Sequence, residues 1–114
     1  MSEQELLAAI KQLIREQMNT YGYAIEGRSD EEALDRFGSA CSNTALILIA
    51  ITGGYNQKTA KLYRFLDGMR GRGLLLKNGF SGGMCTWWPA GFADELRDAP
   101  DASAIAPYRA VRAQ

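Results

Sequence analysis

One segment of the chain changes its structural pattern twice within a short distance, and it constrains the fold more than any other feature. The sequence LYRFLDGMRGRGLLLKNGFSGG, residues 62–83, begins with apolar residues at helical spacing. Gly71 and Gly73 interrupt this pattern, and three leucines follow. Because glycine readily adopts a positive φ angle, we expect one of the two to end the helix and reverse the chain. The segment therefore predicts a helix that leads directly into a strand.

The residues after these glycines have the composition of a β-hairpin. Residues 74–76 are predicted to form its first strand and residues 84–88 its return strand, with Pro89 at the end. Residues 79–83, with Gly at three of five positions, are predicted to be the loop between them. Successive side chains of a strand point to opposite faces, so the two adjacent tryptophans of the return strand should be separated. One belongs in the core, and the other requires cover from the N-terminal helix, the tail or a second subunit.

The helix before the glycines is predicted to have an apolar face and a basic face. We expect Asn56 to cap it and the helix to extend to Met69 or Gly71. At about 100° per residue, its apolar side carries Thr59, Leu62, Leu66 and Met69, with Phe65 at the edge. Its opposite side carries Gln57, Lys61, Arg64, Gly68 and Arg72. The first side is expected to pack on the core and the second to remain outside.

The N-terminal segment is predicted to be a long amphipathic helix over residues 3–21. Ser2 followed by Glu5 has the spacing of a capping box. The apolar stripe of this helix either covers the core or meets a second copy of the chain, and we expect a homodimer that uses it. The predicted dimer-interface residues are Leu7, Ile10, Ile14, Met18 and Tyr21.

Two shorter elements lie between these helices. Ser29 and Glu32 form a second capping box, which predicts a short helix through residue 37 that ends at Gly38. The run TALILIAIT, residues 44–52, fits either a buried strand or a buried helix, because nine residues suit both elements. We favour the helix, because a polar cap at position 42 or 43 precedes the run and the pair Gly53-Gly54 follows it.

Positive charge is concentrated in the middle third of a chain that is neutral overall. Residues 41–80 carry six basic residues against Asp67 alone, a net charge of +5, whereas residues 1–40 carry a net −4 and residues 81–114 a net −1. A local basic surface is what contact with nucleic-acid phosphates requires, because affinity arises from the local release of counterions. The charge pattern therefore indicates a nucleic-acid partner for the basic helix and the hairpin.

The order short helix, buried helix, Gly-Gly turn, basic-faced helix, strand, Gly-rich loop, strand resembles the winged helix-turn-helix superfamily of DNA-binding domains. The resemblance covers residues 44–88, and TAKLYRFLDGMRGRGLLLKNGFSGGMCTWWPAGF is similar to a recognition helix followed by a wing. It implies an α+β, mostly helical fold with a two-stranded wing, to which this chain adds the N-terminal helix. It also implies that double-stranded DNA is contacted by Gln57, Lys58, Lys61 and Arg64 in the major groove and by Lys77, Asn78 and Ser81 on the wing.

Length and composition fit one small domain. The chain has 114 residues, of which 46% are hydrophobic and 23% charged, as in ordinary globular proteins. We expect one domain over residues 1–100, closed by a short helix over residues 90–99, and a tail over residues 101–114. No apolar run approaches the ~18 to 20 residues of a membrane span. The N-terminal sequence MSEQELLAAIKQ is acidic, unlike a signal peptide, so a cytoplasmic location is expected.

The residue types that catalysis and metal binding most often use are scarce. The chain contains no histidine, which removes Ser-His and Cys-His nucleophile pairs. Cys41 and Cys85 are far apart in sequence and are predicted to be buried. The acidic run from Asp30 to Asp35 is interpreted as the first turn of a helix. We therefore predict no enzymatic activity, no metal site and no cofactor.

These observations predict a small DNA-binding transcription regulator. A first alternative is a winged-helix module or inhibitor, from a phage or mobile element, that binds a protein instead. A second alternative is a small-ligand-binding protein, with the tryptophan pair and the tyrosines around an apolar pocket.

Overall fold

Five helices and one hairpin make up the regular structure of the residues that the structure describes. The computed structural model describes residues 1–54, 59–79 and 84–98. In chain order the elements are α1 (Glu3–Tyr21), α2 (Asp30–Cys41), α3 (Thr44–Thr52), α4 (Ala60–Gly71), β1 (Leu75–Asn78), β2 (Thr86–Pro89) and α5 (Phe92–Asp98). The predicted α+β, mostly helical class is confirmed. The predicted tail, residues 101–114, lies outside the described residues.

Two capping boxes fix the starts of α1 and α2, as predicted. The Ser2 hydroxyl accepts a hydrogen bond from the Glu5 amide, and the Glu5 carboxylate accepts one from the Ser2 amide, both at 3.1 Å. Ser29 and Glu32 repeat this exchange at the start of α2. These contacts satisfy amide groups that have no partner within the helix. Both start points therefore follow from contacts three residues apart.

The apolar stripe of α1 packs on the core of its own chain. Ile10, Ile14 and Met18, which belong to the predicted dimer interface, are buried there together with Leu6. Leu7 is half-buried and Tyr21 is exposed. Of the two predicted alternatives, the stripe covers the core of its own chain. Its burial does not require a second copy.

Helix α2 is longer than predicted, and the expected end at Gly38 is wrong. The helix continues to Cys41, and Gly38 is buried inside it. A Cβ atom at this position would lie 2.9 Å from Leu34 Cδ1 and 3.1 Å from Thr86 Cβ. The glycine therefore allows α2 to approach β2 closely. Sequence spacing alone does not distinguish a glycine in this role from one that ends a helix.

The apolar run is a helix, as favoured from its flanking residues. The Asn43 side chain accepts a hydrogen bond from the Leu46 amide at 2.9 Å, and Gly53 ends α3 with a φ of 77°. Helix α4 follows but begins at Ala60 and not directly after Asn56, which lies outside the described residues. Thr59 precedes it without a side-chain cap.

The predicted reversal after α4 occurs at Gly73, which has a φ of 80°. Gly71 is the last residue of α4 and has no positive φ. The strands β1 and β2 then pair antiparallel, with Leu75 opposite Pro89 and Asn78 opposite Thr86. The hairpin prediction is confirmed, with each strand starting one or two residues later than expected.

A third segment pairs with the hairpin along β2. Asn43, between α2 and α3, forms a single antiparallel bridge with Thr86. The Thr44 amide donates to the Cys85 carbonyl at 2.9 Å, and the Trp87 amide donates to the Ser42 carbonyl at 3.1 Å. Strand β2 therefore lies between this segment and β1, which fixes the hairpin against the start of α3.

Both tryptophans of β2 are fully buried within one chain. Trp87 donates from its indole nitrogen to the Thr44 hydroxyl at 2.9 Å and packs edge-on against Tyr63, with ring centroids 5.6 Å apart. Trp88 donates to Asp30 at 2.9 Å and packs against Phe92 of α5. Within the described residues, the second tryptophan is thus covered in part by α2 and α5, two elements that the prediction did not name.

The Asp30 carboxylate joins three elements. Besides the Trp88 indole, it accepts hydrogen bonds from the amides of Gly91 and Ala93, both at 2.8 Å. The two amides lie at the start of α5, where helical amides lack partners within the helix. One side chain at the start of α2 therefore holds the end of β2 and caps α5.

We expect a bulky residue at Gly73 to destabilise the fold by about 1 to 3 kcal/mol, because its backbone has a positive φ. Gly71→Val is the matched control, since a Cβ atom meets nothing within 4 Å at either position and only Gly73 has the unusual backbone. Chemical denaturation followed by circular dichroism would measure both variants. Equal destabilisation by the two variants would contradict the assignment of the turn to Gly73.

We expect Asp30→Ala to destabilise the fold by about 2 to 4 kcal/mol, because the buried Trp88 indole and two amides lose their acceptor. Asp35→Ala is the control, since Asp35 lies on the same helix and is exposed. Denaturation midpoints would compare the two variants. Similar midpoints would show that the carboxylate does not hold α5 and β2 together.

Candidate nucleic-acid interface

Helix α4 presents one face to the core and another to the outside. Leu66 and Met69 are buried, as its predicted apolar side requires. On the outer side, four exposed residues lie within an arc of about 100° and are named here the α4 surface. They are Lys61, Arg64, Phe65 and Gly68.

The flank of α4 next to the hairpin carries a compact network of charge. Asp67, the one carboxylate on α4, accepts hydrogen bonds from Arg70 at 2.7 Å and from Lys77 of β1 at 3.2 Å. Lys77 also donates to the Tyr63 hydroxyl at 3.0 Å. These contacts lower the pKa of Asp67, through Arg70 first and then Lys77, and raise the pKa of Lys77, through Tyr63 first and then Asp67. The network ties β1 to α4.

Lys77, predicted to contact DNA from the wing, is engaged by this network. Its side chain is only 20% exposed, and its ammonium lies 5.3 Å from the centre of the Tyr63 ring. Two of the donors of this ammonium are engaged by a hydroxyl and a carboxylate, and the negative charge of Asp67 offsets its field, so Lys77 has less to offer a phosphate than a free lysine has. The structure therefore gives Lys77 a contact with α4 that the sequence did not indicate.

Other basic residues near α4 are also paired. Arg72, directly after the helix, forms an ion pair with Glu3 of α1. Arg70 shares Asp67 with Lys77. Among the described residues, Lys61 and Arg64 have no carboxylate partner. The net charge of +5 counted from the sequence thus overstates the free positive charge of this region.

The remaining predicted DNA contacts are only partly located. Gln57, Lys58 and Ser81 lie outside the described residues. Asn78 is exposed at the end of β1, and its carbonyl accepts a hydrogen bond from the Thr86 hydroxyl at 3.2 Å. The structure therefore brings Lys61 and Arg64 together on one face and puts Asn78 at the outer end of the hairpin.

Phe65 is the residue of the α4 surface that sequence reasoning did not assign to a site. Its position on the helical wheel lies at the edge of the apolar side, which suggests partial burial. In the structure 44% of the residue is exposed. Its position beside Arg64 and one turn after Lys61 was the available signal.

The cysteines and carboxylates form no reactive or metal-binding site in the described part of the chain. Cys41 and Cys85 are both buried, as predicted. Burial raises the pKa of Cys41 to about 12 and also raises that of Cys85, so both thiols stay protonated. Within residues 1–54, 59–79 and 84–98, no group of three or more Cys, Asp or Glu side chains could hold a metal ion. Over the same ranges, no helix has both the length and the apolar character that crossing a bilayer requires.

A groove of about 560 Å³ lies away from the tryptophans, between the second half of α1, the following loop and α5. Tyr23 lines it and stacks on Phe37, with ring centroids 5.1 Å apart. Arg15 and Arg97 contribute to its walls, and Arg97 is paired with Asp94. Trp87 and Trp88 do not line this groove, because both rings are buried in the core.

Comparison with protein-family models, curated proteins and solved structures gives no match, so only the geometry of the chain itself bears on its function.

We expect the Asp67 carboxyl to titrate below the ordinary aspartate value of about 3.9, because Arg70 and Lys77 stabilise its charged form. A carboxyl whose pKa is lower in the folded chain stabilises the fold above its unfolded pKa, and this stabilisation is lost as pH falls through its folded pKa. A carbon-detected NMR titration would measure the midpoint.

Arg70→Gln and Lys77→Gln should each move this midpoint upward, and Arg36→Gln, on the exposed side of α2, should not. If neither Arg70→Gln nor Lys77→Gln moves the midpoint, the proposed network around Asp67 is contradicted.

Proposed function

We propose that this chain is a winged-helix domain that binds duplex DNA, as a small regulator would, through the α4 surface. The observed order of α2, α3, α4, β1 and β2 supports this proposal, since it agrees with the order that suggested the winged helix-turn-helix class. The positive φ at Gly73 and the pairing of β1 with β2 support the assignment of a helix followed by a wing.

One observation carries the proposal. Lys61 and Arg64 are exposed on the side of α4 opposite its buried residues and, among the described residues, have no carboxylate partner. Unpaired cations on an outward helix face can replace the counterions of DNA phosphates, which is the main source of sequence-independent affinity. The major groove of DNA is wide enough to admit an α-helix with such a face.

The Asp67 network supports this arrangement by removing repulsion. Asp67 lies on α4 within one or two turns of Lys61 and Arg64, and an unpaired carboxylate there would repel phosphate. Arg70 and Lys77 neutralise it and hold it on the flank facing β1. The α4 surface can therefore be basic although the chain as a whole is neutral.

A second candidate function, binding to a protein, is favoured by a different observation. Phe65 exposes an aromatic ring at the edge of the α4 surface, and exposed aromatic residues beside arginine are common at protein interfaces. The pairing of Arg70, Arg72 and Lys77 also leaves the region less basic than DNA-binding surfaces usually are. In this alternative the same surface binds an acidic, partly apolar protein.

We expect Lys61→Ala and Arg64→Ala each to weaken binding to duplex DNA and to reduce the slope of log affinity against log salt by about 1. Stability should change by less than about 0.5 kcal/mol, because both side chains are exposed. Fluorescence anisotropy with a random-sequence duplex over a series of salt concentrations would measure both quantities.

Arg36→Ala is the matched control, because it removes one exposed positive charge from α2 and should leave the slope unchanged. Lys11 is less suitable, since it forms an ion pair with Glu95 at 2.7 Å. No binding of the parent chain to duplex at about 50 mM salt would exclude the DNA-binding proposal and favour the protein partner.

A further inference from the structure

Among the described residues, no aromatic or cation–π contact of Phe65 explains the exposed position of its ring. Phe65 is 44% exposed, whereas Leu66 and Met69 of the same helix are completely buried. A large apolar side chain left in water forgoes the stabilisation that burial would give it, and aromatic residues and arginine are both enriched at binding surfaces. The neighbours of Phe65 here are the two basic residues on which the proposed function rests.

The geometry around the ring limits what it can contact. Lys61 lies one turn before Phe65 and Arg64 lies beside it, so cations border the ring on its N-terminal side. Gly68 lies almost one turn after it, and a Cβ atom there would meet only the Arg72 guanidinium, at 3.8 Å. No side chain at position 68 therefore stands between the ring of Phe65 and a partner that approaches this face of α4.

A partner that matches this surface offers an apolar group beside anionic groups. The major groove of DNA does so, because base edges lie between two phosphate backbones. Among the four bases, only thymine presents an apolar group to this groove, namely its 5-methyl group, and phenylalanine is one of the side chains that contact it.

We propose that Phe65 is a specificity-determining residue that contacts the 5-methyl group of thymine in the major groove. This inference rests on the proposed function, since it requires α4 to lie in that groove. Lys61 and Arg64 supply affinity through phosphates, and Phe65 supplies the preference for thymine. The two contributions are separable, because removing a methyl group from the base leaves every phosphate in place.

The experiment compares two duplex pools that differ only in this methyl group. A random-sequence pool is enriched for binding to the parent chain and then amplified once with thymidine and once with deoxyuridine triphosphate. We expect the Kd of the parent chain to be about fourfold higher on the uracil pool, the effect of one lost methyl contact. Phe65→Ala should bind both pools equally, at the affinity of the parent for the uracil pool, with an unchanged salt slope.

Two further variants separate the ring from general effects of substitution. Met84→Ala removes another exposed apolar side chain, 74% exposed, and should keep the full preference for thymine. Lys61→Ala should reduce the salt slope and keep the ratio of the two Kd values. Circular dichroism of each variant would verify that the fold is retained.

The failures of the two proposals are distinguishable. Equal binding of the parent chain to both pools, or an equal preference in Phe65→Ala, would overturn the thymine contact and leave the DNA-binding proposal standing. Absence of binding to either pool at about 50 mM salt would overturn the DNA-binding proposal itself.

Discussion

The hydrogen bonds accepted by the Asp30 carboxylate are the constraint on which the rest of the fold depends. They hold Trp88 and the start of α5 to the first turn of α2. With Trp88 fixed on one face of β2, its neighbour Trp87 is directed to the other face, where it packs against Tyr63 of α4. Tyr63 in turn accepts a hydrogen bond from Lys77 of β1. These contacts link the orientation of α4 and of the hairpin, step by step, to one half-buried carboxylate.

Features set by contacts within a few residues could be predicted from the sequence, and features set by distant contacts could not. The capping boxes at Ser2 and Ser29 and the end of α3 at Gly53 depend on neighbours three or four residues away. The prediction that Gly38 ends α2 is wrong because the glycine is needed to leave room for Thr86, which is distant in sequence. The partner of Trp88 is 58 residues away, and no spacing rule identifies it.

The same distinction applies to the candidate site. Periodicity put Lys61 and Arg64 on the outer side of α4, and the structure agrees. A count of charges could not show that Glu3 of α1 pairs with Arg72, or that Asp67 holds both Arg70 and Lys77. Among the described residues, long-range pairing therefore leaves Lys61 and Arg64 as the basic residues of this segment without a carboxylate partner, and the exposed ring of Phe65 lies beside them.

The burial of both tryptophans determines which events the intrinsic fluorescence of the chain can detect. Indole fluorescence responds to water, and neither ring is in contact with water in the folded chain. The emission of Trp87 and Trp88 is therefore a monitor of the core, sensitive to unfolding and to the separation of β2 from α2. A ligand resting on the outer side of α4 would leave it unchanged, so binding to this protein is better followed by a label on the ligand.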